Sequence, residues 1–271
     1  MHRFCVQILL AALLAGCASR APAPVASERR GTASSELSQF SGSHAGDLPP
    51  GWAPIAILRD KQPTQYRLVQ DSQDVVLHAS AHRASSGLMY ELAADPVQRP
   101  WLQWRWKIKG PQLLGKGSPA ERGSPARIVL GFDGDKDSLP FTEQILFETA
   151  RVVTGHEFPY ATLMYVWSED LPPASIVQSR FSGRIRMIVV DSGADGLDQW
   201  RGFSRNIAED YHRAFGEPPG RLIGVGVLTD DEHTPGGTEA WYGDIRLTEA
   251  PTPASAAAET KPQSLFLTQS E

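Results

Sequence analysis

Residues 101–109 read WLQWRWKIK, and the architecture follows from how they alternate. Leu102, Trp104, Trp106 and Ile108 fall on one side; Gln103, Arg105, Lys107 and Lys109 fall on the other. Side chains of a strand point alternately to its two faces, so this is a half-buried strand with a charged outer face. Working outward, similar short runs occur at Gln65–Gln70, Val75–Ala81, Gly87–Leu92, Ala126–Phe132, Ala161–Trp167, Arg184–Val190, Leu222–Thr229 and Ala240–Leu247. Clusters of Gly, Pro, Asp and Ser separate them. Strands at this spacing predict a mainly β fold, a two-sheet sandwich.

Two segments break the period of two. Thr142–Val153 places Ile145, Leu146, Thr149 and Val152–Val153 at helical spacing. Ser204–Phe215 is the firmer helix: Ser204 can cap it, Ile207, Ala208, Tyr211 and Phe215 share a face, and Gly216 with Pro218 and Pro219 stops it. The chain has 271 residues, 41% hydrophobic and 21% charged, enough apolar material for a real core. Its formal charge of −5 disfavours nucleic acid as a general partner, because phosphate binding needs a basic surface.

The N-terminus reads MHRFCVQILLAALLAGC. Arg3 precedes an apolar run from Val6 to Leu14, shorter than the roughly 20 residues that a membrane span needs and of signal-peptide length. Leu14-Ala15-Gly16-Cys17 resembles the lipobox of bacterial lipoprotein precursors. That resemblance implies cleavage before Cys17 and attachment of acyl chains, palmitate among them, to Cys17. Several chains make a stable anchor where one would not. Ala18 rather than Asp after the Cys implies passage to the outer membrane, with the domain in the cell envelope on its periplasmic face. With Cys5 lost and Cys17 lipidated, the mature domain has no thiol, which removes disulfides, a Cys nucleophile and thiolate metal sites. The expected organisation is a signal peptide over 1–16, lipidated Cys and flexible tether over 17–48, the β domain over 49–249, and a disordered tail over 250–271, both flanks being rich in Ala, Pro and Ser.

Within the domain, seven segments stand in order: WLQWRWKIKG (101–110), ARIVLGFDGD (126–135), PYATLMYVW (159–167), RIRMIVVDSG (184–193), RNIAEDYHRAFGEPP (205–219), GVGVLTDDEHT (224–234) and WYGDIRL (241–247). Together they resemble the bacterial family DUF3047, a domain of unknown function, over about Gly51 to Leu247. The resemblance implies no activity. Two stretches depart from the family pattern: residues 118–125 (SPAERGSP) carry only Glu121 where paired acids are usual, and residues 230–234 (DDEHT) replace an Asp-Thr-Asp-Asn-Thr loop. The closing Gly243-Asp244-Ile245 also resembles the last strand of galactose-binding-like jelly rolls, which implies that architecture and, by analogy of fold only, a carbohydrate ligand.

Several residues could carry chemistry. Asp133, Asp135 and Asp137 alternate as Ca²⁺-loop ligands do, but Ser138 and Gln144 stand where such a loop has Gly and Glu; a solvated turn is the plainer reading. Asp230, Asp231, Glu232 and His233 form a second acidic loop, able to ligate a cation or to guard a strand edge. Arg205 and Glu209, four apart, suit a surface ion pair, with Asp210 beside them. Arg127, Arg205, Asp210, Asp230, Asp231 and Asp244 make a polar site if they converge, and Asp191 joins them as a test of convergence. Buried salt links to Arg105, Arg127 and Arg186 are the structural alternative. Trp104 and Trp106 belong to the core; Trp101, Trp200 and Trp241 either pack or stack on sugar rings.

No Gly-x-Ser-x-Gly, His-Glu-x-x-His or phosphate-loop pattern is present. The leading reading is therefore a non-catalytic envelope lipoprotein whose sandwich binds a glycan or another envelope component. The alternatives are an envelope polysaccharide hydrolase using carboxylates such as Asp210, Asp230 or Asp231, and a structural or assembly lipoprotein with a protein partner.

Overall fold

The computed structural model describes residues 36–56, 62–110, 119, 123–231 and 236–251. The expected signal peptide, Cys17, residues 18–35, Glu121, Glu232, His233 and the segment from residue 252 lie outside the described residues. Among the described residues the protein is a two-sheet β-sandwich with two full α-helices outside the strands. Strands β1 (Glu36–Ser38), β3 (Gln65–Asp71), β4 (Asp74–Ala81), β6 (Trp101–Ile108), β11 (Arg201–Asn206), β13 (Thr238–Tyr242) and β14 (Ile245–Thr248) form the first sheet. Strands β2 (Trp52–Ala56), β5 (Ser85–Ala94), β7 (Arg127–Phe132), β8 (Ala161–Ser168), β9 (Ile176–Gln178), β10 (Ile185–Ser192) and β12 (Leu222–Asp230) form the second. The second sheet runs β2-β5-β12-β7-β8-β10-β9. Its pairs are antiparallel except β8 with β10.

The strand at 101–108 behaves as its alternation requires. Leu102, Trp104, Trp106 and Ile108 are buried, and their neighbours half-buried. Trp104 stacks on Tyr165 of the second sheet at 5.0 Å and on Phe203 of β11 at 5.1 Å, so one indole joins both sheets. Fully burying one large apolar side chain stabilises the fold by about 1.5–3 kcal/mol. Buried hydroxyls add direction. Tyr66 on β3 donates to Ser86 O of the second sheet (2.8 Å), and Tyr242 on β13 donates to Leu228 O (3.0 Å). Such cross-sheet bonds fix one sliding position of the layers, which apolar contact alone does not. β7, buried at every residue, is central and covered on both faces.

Three expectations need correction. The folded unit starts before residue 49: β1 pairs antiparallel with β14, Leu37 and Phe40 are buried, and Phe40 packs on Trp52 at 5.6 Å. Two apolar residues among Ser, Gln and Gly are too few to set a period. The run Ala240–Leu247 is two strands. They part at Gly243-Asp244, and β6 pairs with β13 through Trp106–Ile108 and with β14 through Trp101–Gln103. The second helix, α2 (Ile207–Phe215), starts later than Ser204, because residues 201–206 pair with β6 as β11. Asn206 is the cap; its Oδ1 accepts from the Ala208 and Glu209 N–H groups, each at 3.2 Å.

The first helix, α1 (Phe141–Thr154), forms where its spacing placed it, but its apolar stripe is only partly covered: Leu146 is half-buried. Phe141, Ile145 and Val152 are exposed. It ends at Gly155, whose positive φ of 78° suits a residue without Cβ. Glu143 ties it to the turn before β10, accepting from Ser182 Oγ (2.6 Å) and Gly183 N–H (2.7 Å). Among the described residues no helix is long and apolar enough to cross a membrane.

Candidate functional site

The nominated polar residues do not meet in one place; the fold uses each locally. Arg127 and Asp230 form a buried ion pair at 2.5 Å, under Gly123, where an added Cβ would collide with the Asp230 carboxylate. Asp231 accepts from the Arg83 and Ala84 N–H groups and closes the turn into β5. Asp210, 3% exposed, accepts from Arg205 Nε (2.8 Å) and Nη2 (2.5 Å), from Arg213 (3.2 Å) and from Tyr165 Oη (2.9 Å). Arg205 thus pairs with Asp210 rather than Glu209, which accepts from Asn206. Asp244 accepts from Ser41 N–H and Oγ and pairs with Arg246, stitching the N-terminal segment to β14. Each of these carboxylates thus serves a local structural contact.

The other expected sites are also resolved. Asp135 caps a short 3₁₀ turn by accepting from Asp137 N–H, while Asp133 accepts from Gly134 N–H. Among the described residues no three His, Cys, Asp or Glu side chains gather to hold a metal; of the two readings of the Asp133–Asp137 stretch, the structure shows a capped turn leading into α1. Of the strand arginines, Arg127 is in a buried salt link, Arg105 pairs with Asp74 in a half-exposed one, and Arg186 donates to Ala214 O instead.

A different group does come together, on the outer face of the first sheet. Register puts Arg67 opposite His78, His78 opposite Trp241, and Trp241 opposite Lys107. Arg201 is opposite Trp106, so Trp200, one residue earlier, continues the row beside Lys107. The result is a file of side chains running across the strands. His78 stacks on Trp241 at 4.9 Å, and Lys107 Nζ lies 4.7 Å from the Trp241 ring and 5.2 Å from the Trp200 ring. The two indoles therefore stand no more than about 10 Å apart, two strand spacings. Arg105 lies over Trp200 at 4.6 Å. Its side chain runs over Gly243, where an added Cβ would meet it at 2.5 Å.

Carboxylates lie between these cations. Asp71 accepts from Lys107 Nζ (2.8 Å) and Trp200 Nε1 (3.0 Å), and its bond from Lys107 holds its carboxyl below the usual carboxylate range. Glu239 accepts from Lys109 and faces His78 Nε2 at 3.0 Å; the Lys109 bond lowers its pKa. Burial pushes His78 down against the opposing pull of Glu239, so its ring is neutral at neutral pH. The face thus sets two indoles, lined by His78, Lys107 and Arg105, beside donors and acceptors, with its ions largely paired. Trp200 and Trp241 are among the indoles that the sequence offers for packing or sugar stacking. Sequence reasoning misses Asp71, His78 and Glu239, and the one available signal is the polar side of the 101–109 alternation.

Comparison with solved structures finds distant likenesses. A family 11 carbohydrate-binding module of the cellulosomal cellulase Lic26A-Cel5E of Clostridium thermocellum is 11% identical, covering 79% of this chain and 94% of that one at a TM-score of 0.37. The xyloglucanase domain of NopAA, a type three effector from Sinorhizobium fredii, solved with cellobiose, is 7% identical, covering 79% and 100% at 0.38. A family 30 carbohydrate-binding module of the cellulosomal cellulase Cel9D-Cel44B of Clostridium thermocellum is 12% identical, covering 79% and 96% at 0.33. Likenesses of this degree assign no ligand to this chain. Comparison with curated proteins finds no match. The family model of the protein of unknown function DUF3047 matches residues 50–246, most of the chain and nearly all of the sandwich, and the chain belongs to that family.

Proposed function

We propose that this protein is a non-catalytic, lipid-anchored envelope module that binds a glycan along the outer face of its first sheet. The observation that carries the reading is the pairing of Trp241 and Trp200, two strands apart, around Lys107. Sugars are recognised by aromatic surface against their C–H faces and by paired donors and acceptors against their hydroxyls. Asp71, Asp74, Arg105 and Glu239 supply the second kind of group next to the first. The carboxylates that a hydrolase would use, Asp210, Asp230 and Asp231, are held apart in separate contacts, which favours binding over catalysis.

The test is calorimetric titration of the mature chain, from residue 17 on and without lipid, with a panel of soluble envelope and cell-wall polysaccharides. At least one should bind, and Trp200→Ala with Trp241→Ala should weaken it tenfold or more while the thermal transition stays cooperative. Failure of every polysaccharide to bind, or binding indifferent to both tryptophans, would overturn the reading.

A further inference from the structure

The space between Trp200 and Trp241 already holds an ammonium. Lys107 Nζ sits 5.2 and 4.7 Å from the two rings and 2.8 Å from Asp71 Oδ2. A cation facing aromatic rings above a carboxylate is the arrangement by which proteins select ammonium groups. The slot is about one group wide, because the rings are two strand spacings apart and His78 covers the far side of Trp241. Of the neighbouring cations, Arg105 pairs with Asp74 while its guanidinium also lies over Trp200 at 4.6 Å, and Lys109 pairs with Glu239. Lys107 also has a flexible stem and a strongly hydrated head, so its ammonium can move into water when another replaces it.

We propose that the glycan bound here carries a primary amine, and that this ammonium displaces that of Lys107 between Trp200 and Trp241 and against Asp71. The inference rests on the glycan reading above. A neutral hydroxyl in the slot leaves Asp71 without its cation, and an anionic sugar meets Asp71 head-on. An ammonium preserves every interaction that Lys107 now makes. Lys107 is thus a tethered competitor that lowers affinity and restricts the slot to groups of its own chemistry.

The experiment compares β-1,4-linked hexamers of glucosamine, N-acetylglucosamine and glucose, titrated at pH 5.5 into the mature chain, Lys107→Ala, and Lys107→Ala with Asp71→Asn. Lys107→Met, which keeps most of the stem, guards against loss of packing. Removing the competitor should tighten glucosamine binding at least fivefold. It should leave the other two hexamers within twofold of their original affinity, and Asp71→Asn should erase the preference. Equal tightening for all three hexamers overturns the amine inference and leaves the glycan reading standing. A preference for glucosamine that survives Asp71→Asn also overturns it. Nα-acetyl-lysine amide binding Lys107→Ala as tightly as the glucosamine hexamer shows recognition of ammonium without sugar, which overturns the glycan part. Binding of no sugar by any of these proteins, together with failure of the wider panel, overturns both.

Discussion

Asp191 is 5% exposed, accepts from the Ser192 N–H at 3.1 Å, and has Arg201 Nη2 3.8 Å from its carboxylate. Burial raises its pKa, opposed by Arg201. A carboxyl raised in the folded state disfavours folding wherever it must be ionised. Its penalty is absent below the unfolded value of about 3.9, grows as the pH climbs through the raised folded value, and stays constant above it. Asp191→Asn keeps the shape and the acceptor but removes the charge. Denaturant melts should show the variant more stable than the native chain at pH 7, by on the order of 1 kcal/mol, with the difference closing near pH 3. A variant less stable at pH 7 would mean that the attraction of Arg201 outweighs the cost of burial. The contrast with Asp210 is instructive: Arg205, Arg213 and Tyr165 surround that equally buried carboxylate. Sequence alone shows two aspartates near helices or turns and nothing of this difference, which arises from which strands bring cations alongside.

At the scale of elements, α2 exists because of its first residue and its inner face. Ile207 and Tyr211 are buried, and Tyr211 packs on Phe132 at 4.7 Å. Asn206 satisfies two N–H groups that a helix start leaves unpaired, and its Nδ2 donates to Glu209 Oε1 at 2.8 Å. Asn206→Ala should cost about 1 kcal/mol in an equilibrium melt. Ser204→Ala should cost less than half of that, since Ser204 caps nothing; the reverse order would return the helix start to Ser204. The same elements show what was legible. Strands with strong alternation, such as β6, or with a solid apolar run, such as β7, were readable because one or both faces are buried. β1 and β9 have three residues each, too few for a period. β2 carries Pro54, which an edge strand tolerates and a pattern search rejects. β11 (RGFSRN) has one large apolar residue, Phe203, and pairing alone makes it a strand. The outer-face row was illegible for a related reason. It takes one residue from each of several strands between Arg67 and Trp241, and only strand order and register align them.

For the whole molecule, the two ends of the proposed function are physically separable. The proposed glycan face belongs to the sandwich, while attachment is proposed to reside in Cys17. Residues 18–35 connect that cysteine to β1, a length of chain that can reach at most about 60 Å. The chain is acidic overall, with a formal charge of −5, and a negative domain gains nothing from an anionic lipid surface. Under the proposed anchoring, acyl chains on Cys17 supply the membrane affinity, at roughly 0.8 kcal/mol per buried CH₂. Cys17→Ser should accordingly abolish incorporation of a palmitate analogue. It should also move the protein from the membrane pellet to the soluble periplasmic fraction without a high-salt wash, because no electrostatic attachment remains to be broken. Glycan affinity of the released protein should match that of the lipid-free mature chain within twofold. Retention of Cys17→Ser in the pellet through high salt and alkaline extraction would place the attachment elsewhere. Release together with lost glycan affinity would mean that the face needs the membrane to be complete.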